Sequence, residues 1–143
     1  MNGLVEYLEN KLEKKLNESH VRMLHPLVLA YIGDTVYDLF VRTYLTMLYE
    51  VSVHQLHIKA VGLVRAGAQA VTLHQIEEFL TDEEYEIVKR GRNAKSGTIP
   101  KSADMMEYKW ATGFESLLGY LYLLGRKERL LEILDHILME QIG

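Results

Sequence analysis

Two acidic residues stand where an ordinary buried helix would carry apolar ones. Asp34 closes the run Leu29-Ala30-Tyr31-Ile32-Gly33-Asp34, and Glu115 sits inside Ala111-Thr112-Gly113-Phe114-Glu115-Ser116-Leu117-Leu118-Gly119-Tyr120. An ionised carboxylate is expensive to bury unless something pairs with it. Two of them on two apolar helices suggest a shared divalent cation. Hard cations such as Mg2+ prefer carboxylate oxygen and keep several waters. Held between two packed helices, such an ion could activate water against a phosphodiester. The plainer reading of each carboxylate is a polar residue at a helix surface, satisfied by solvent or by nearby backbone. Asp38 lies one turn after Asp34 on the same side, and reads as a solvated neighbour rather than a partner.

A second constellation runs from Lys89 to Ser102: Lys89-Arg90-Gly91-Arg92-Asn93-Ala94-Lys95-Ser96-Gly97-Thr98-Ile99-Pro100-Lys101-Ser102. It holds five basic residues and no acid, in a chain whose formal net charge is −4. Arg and Lys position phosphates electrostatically. Gly and Ser let the backbone approach a groove, and Asn or Ser can bond a ribose hydroxyl. A solvated loop is the competing reading. Other chemistries find no support. The chain has no Cys, which excludes thiolate metal sites and disulfides. Its six histidines form no His-x-x-x-His pair. No serine has a nucleophile-elbow context, and no glycine is followed by the Lys-Ser of a phosphate loop.

The elements that must position these residues read as helices. Apolar residues recur at helical spacing throughout, and strand-like alternation is scarce. At 143 residues, 48% of them hydrophobic, the chain suits one domain with a sizeable core. Leu4, Leu8, Leu12 and Leu16 share one face of a leading helix. Pro26 fits the first turn of a long helix running to about Tyr49. Ser52 to Gln55 opens the next as a capping box, and its pattern continues through Val61, Val64, Ala68, Val71 and Ile76. Thr81-Asp82-Glu83-Glu84 is a stronger box, for a shorter helix ending near Gly91. Gly97 and Pro100 break the chain from Asn93 to Ser102. A hydrophobic helix runs from about Asp104 to Leu124, with Gly125 as its stop. An amphipathic helix from Glu128 to Ile142 ends the chain. The reading is an all-α, single-domain helical bundle over 1–143, with a leading helix in 1–20 and a core in 21–143. No stretch has the length of a membrane span, no secretory signal opens the chain, and the expected address is the cytoplasm.

Taken together, these residues resemble the ribonuclease III catalytic domain, in the family's short bacterial form. The likeness covers about Leu24 to Leu131 and rests on three segments. Leu29-Ala30-Tyr31-Ile32-Gly33-Asp34-Thr35 resembles the signature helix, whose Gly-Asp pair supplies a metal-binding acid. Lys89 to Gly97 resembles the short form's basic segment. Phe114-Glu115-Ser116-Leu117-Leu118-Gly119-Tyr120-Leu121 resembles the helix carrying the second metal-binding Glu. Full-length members carry further carboxylates where this chain has Ala30 and Thr112; the short form is similar in lacking them. The resemblance implies a homodimeric, Mg2+-dependent (alternatively Mn2+-dependent) endoribonuclease for double-stranded RNA. Asp34 and Glu115 would be its catalytic and metal-binding residues, and Arg90, Arg92, Asn93, Lys95 and Lys101 its RNA-facing set. It further implies maturation of the ends of precursor 23S ribosomal RNA, with a ribosomal protein as a candidate cofactor. No double-stranded-RNA-binding domain is expected. A catalytically silent RNA-binding relative is the alternative.

Overall fold

The structure, a computed structural model, describes residues 3–95 and 104–142. They form eight α-helices and a single 3-10 turn, with no strand among the described residues. The helices are α1 (Leu4–Leu12), α2 (Glu18–Met23), α3 (Pro26–Leu48), α4 (Val53–Val64), α5 (Ala66–Ile76), α6 (Asp82–Asn93), α7 (Met105–Leu123) and α8 (Lys127–Ile142); the 3-10 turn is Glu77–Phe79. No described helix is long and apolar enough to cross a membrane.

Local chemistry sets most of the boundaries. Pro26 opens α3, and His25 Nδ1 accepts the Leu27 N–H at 3.0 Å. Thr81 and Glu84 form the reciprocal capping box of α6, at 3.1 and 3.0 Å. Ser52 caps α4 by accepting from Gln55 N at 3.2 Å. Asp104 caps α7 by accepting from Glu107 N at 3.0 Å. Gly125, at φ +68°, turns the chain after α7 in the left-handed region where glycine is unstrained.

Helix α7 is the axis of the molecule. Between Ala111 and Leu121 every residue except Glu115 is buried, so this helix is enclosed nearly all round. Helices α3, α5, α6 and α8 pack on it. Two of these contacts bring backbone onto backbone. A Cβ on Gly33 would fall 1.7 Å from the Glu115 carbonyl oxygen, and one on Gly119 would fall 1.9 Å from Leu29 O. A Cβ on Gly113 would meet Val88 O at 2.6 Å. The glycines are therefore what lets α3 and α6 close on α7.

Three expectations change. The single helix foreseen from Ser52 to Ile76 is broken at Arg65, whose ψ of 154° is extended, so α4 and α5 meet at a bend. A short helix, α2, precedes α3; Asn17 caps it by accepting from His20 N at 2.8 Å. The leading helix ends at Leu12, so Leu16 is not on its face and packs against the core instead, while Leu4, Leu8 and Leu12 are exposed.

Candidate metal and nucleic-acid site

The Gly33–Gly119 crossing brings the two predicted carboxylates together. With α3 and α7 this close at Gly33, the next residue of α3, Asp34, comes within side-chain hydrogen-bonding reach of Glu115. Their exposures differ: Asp34 is exposed, while Glu115 is half-buried. The burial expected of both therefore falls on Glu115 alone. Burial first, and then the hydrogen bond and negative charge of Asp34, push the Glu115 carboxyl up to about 9. A carboxyl raised this far favours its protonated form at neutral pH. Asp38 turns away to Arg42, at 3.0 Å, in accord with its reading as a neighbour rather than a partner.

A third side chain reaches Glu115, and sequence reasoning did not name it. Gln69, 3% exposed in the first turns of α5, donates from Nε2 to Val64 O at 2.7 Å and to Glu115 Oε2 at 3.4 Å. Its Oε1 is buried with no hydrogen-bond partner. The signal was present: a lone polar residue in Ala66-Gly67-Ala68-Gln69-Ala70-Val71 obeys the same rule that drew attention to Asp34 and Glu115. Among the described residues no group of three or more His, Asp or Glu side chains converges on one point.

Two carboxylates and one orphaned amide oxygen still suit a hydrated hard cation. Mg2+ is commonly bound through one or two carboxylates and keeps most of its waters, which need acceptors. The residues that could hold it are Asp34 and Glu115.

The basic segment divides. Arg90 is engaged within the fold: its Nη1 donates to Arg22 O at 2.7 Å and its Nη2 to Leu24 O at 3.3 Å, tying the end of α6 to the turn before α3. Lys89 pairs with Glu86 at 2.8 Å. Arg92 donates from Nε to Asn93 Oδ1 at 3.0 Å, with its guanidinium over the Trp110 ring at 4.8 Å. Trp110 in turn meets His74 edge-on at 4.9 Å, so α5, α6 and α7 are joined by one stack. Lys95 is exposed. Pro26, Glu86, Lys89, Arg90, Arg92 and Asn93 line an open groove. Lys101 and the rest of 96–103 lie outside the described residues. Ser116, buried, donates to Pro26 O and Thr112 O, so its hydroxyl serves packing.

Fold and site define a class. The Ribonuclease III domain family matches residues 27–126, and the chain belongs to that family of endoribonucleases. Among its relatives is the Mini-ribonuclease 3 of Symbiobacterium thermophilum, 52% identical over 78% of this chain and 86% of that protein. The Mini-ribonuclease 3 of a Thermoanaerobacter strain is 47% identical over 93% of this chain and 92% of its own length. That of Clostridium tetani is 43% identical over 89% and 85%. In three dimensions the chain is similar to the crystal structure of protein FN1578 from Fusobacterium nucleatum, with a TM-score of 0.76 and 30% identity, over 85% of this chain and 98% of that one.

Proposed function

We propose that this protein is a divalent-metal-dependent endoribonuclease that cuts double-stranded RNA, with precursor 23S ribosomal RNA as its substrate. The observation that carries the reading is the meeting of Asp34 with Glu115 across the Gly33–Gly119 crossing. Mg2+, or Mn2+ in its place, would supply an activated water and neutralise charge on the phosphodiester. Asp34 and Glu115 hold and orient that cation. Gly33 fixes the spacing between them. Arg92, Asn93 and Lys95 face the RNA from the end of α6, with Lys101 beyond them in sequence, and Arg90 holds that end in place. A-form RNA is met mainly through phosphates and 2′-hydroxyls, so recognition follows shape more than base sequence.

The working form is a homodimer paired through α3. Supporting this, Val28, Tyr31, Leu39 and Met47 of that helix are exposed apolar residues. The relatives' name, Mini-ribonuclease 3, supports the short form of the enzyme; on this reading 1–143 acts as one catalytic domain, in the cytoplasm. The test is incubation of a plain RNA duplex with the protein and Mg2+, and in parallel with EDTA. Cutting with Mg2+ alone, leaving 5′-phosphate ends, supports the reading. An intact duplex that is nonetheless bound would favour the silent RNA-binding relative, or a requirement for a ribosomal protein.

A further inference from the structure

Gln69 is the one described side chain that is buried and polar and has an atom left without a partner. A buried acceptor without a donor is costly, and native folds rarely keep one without a reason. The orientation of the amide is fixed by its surroundings. Only the nitrogen can donate to Val64 O at 2.7 Å, so the oxygen must occupy the other position. The second N–H of the same nitrogen points to Glu115 Oε2 at 3.4 Å. The orphan oxygen therefore belongs to a side chain already in contact with one of the two carboxylates. No described residue donates to it. The bend at Arg65 is what turns α5 so that Gln69 reaches both the last carbonyl of α4 and the carboxylate on α7.

We propose that Gln69 is the third polar member of the metal site, acting as a positioning residue. Its Nε2 holds Glu115 Oε2 in place, and its Oε1 accepts a hydrogen bond from the hydration shell of a divalent cation held by Asp34 and Glu115. The inference rests on the metal-dependent reading above. It assigns to an uncharged residue on a third helix work that a chain with only two carboxylates in this site must obtain from another donor or acceptor. Groups that orient ligands and bound waters in this way typically change metal affinity by ~10- to 100-fold when removed.

The experiment measures Mn2+ binding to the RNA-free protein by electron paramagnetic resonance, with thermal unfolding followed on the same samples. Gln69→Met keeps length and volume but removes both polar atoms. Gln69→Glu keeps an acceptor and adds a third carboxylate beside the pair, but cannot donate to Val64 O or to Glu115 Oε2. The expected result is a loss of about tenfold or more in Mn2+ affinity for Gln69→Met, with affinity kept or raised in Gln69→Glu. A merely structural role, the capping of Val64, would be lost in both variants alike. Equal affinities in Gln69→Met and wild type, or equal losses in the two variants, overturn the assignment. Should Gln69→Met not fold, Gln69→Ala, which also removes both polar atoms, takes its place: a loss of about tenfold or more in Mn2+ affinity supports the assignment, and wild-type affinity overturns it. Wild-type protein that binds no Mn2+ removes the metal reading, and this inference with it.

Discussion

Glu84 and Glu115 are both carboxylates drawn out of bulk water by the packing around α7, and the protein treats them in opposite ways. Glu84, 3% exposed, is fully answered. Arg129 donates to it from Nε and Nη2, both at 2.8 Å, and the Thr81 N–H adds a third bond at 3.0 Å. Burial alone would raise its pKa, but the Arg129 guanidinium and the Thr81 bonds hold it below the ordinary value. Glu115 faces another carboxylate and a distant amide, and its pKa goes up. One region uses charge to hold α6 against α8. The other sets like charges together and leaves an oxygen unpaired beside them. The difference separates an ion pair kept for the fold from a site kept for something that arrives.

The largest effect that would sharpen this contrast is on catalysis. Glu115→Gln preserves shape while removing a cation ligand, and should lower duplex cleavage by about a thousandfold or more, since such ions contribute several kcal/mol to the transition state. Single-turnover cleavage measures it; wild-type rates would break the comparison. Next comes stability. Arg129→Met strands the buried Glu84 carboxylate and should cost about 3–5 kcal/mol in urea unfolding. A loss under about 1 kcal/mol would mean that the pair behaves as a surface one.

A pH series gives a smaller but signed effect. In the cation-free protein, folded Glu115 keeps its proton up to about 9, whereas the unfolded chain releases it near 4.5. The folded state then binds more protons between those values, so this residue's contribution to stability falls as pH rises through that window. Glu84, with a lowered pKa, acts in the reverse sense: its contribution is present above the ordinary carboxylate range and is lost on acidification. Unfolding of wild type and of Glu115→Gln across pH 5 to 9 (~ the window just given, by linkage) should show the falling contribution in the first protein only; parallel curves would contradict it. The smallest expected effects divide the basic segment. Arg90→Ala should cost about 1 kcal/mol of stability through its lost carbonyl bonds. Lys95→Ala should leave stability unchanged and reduce the salt dependence of RNA binding by about one phosphate contact. Identical behaviour of the two variants would erase the division.

Much of this was legible in the sequence, for physical reasons that can be named. Capping residues act locally, so Thr81 with Glu84, Pro26, Asp104 and Gly125 marked their helix ends correctly. Asp34 and Glu115 stood out because a carboxylate in an apolar helix demands an explanation. What escaped depends on tertiary contact. The bend at Arg65 has neither Gly nor Pro at the break itself. Arg90 looked like its basic neighbours, because composition does not show that α6 returns it to Arg22 and Leu24. Gln69 carries no charge, and its interest appears only when Val64 and Glu115 are seen on either side of it. The glycines of the α3–α7 crossing were read as parts of motifs; their backbone contacts supply the reason for those motifs.

The most direct measurement pairs cleavage with folding in one variant, Asp34→Asn. The substitution removes one of two opposed carboxylates at nearly constant volume, on an exposed residue. If the pair is kept for a cation and for chemistry, Mg2+-dependent cutting of an RNA duplex falls to background, while resistance to urea is equal to or above that of wild type. Cutting at the wild-type rate, or a protein that no longer folds, would contradict that account.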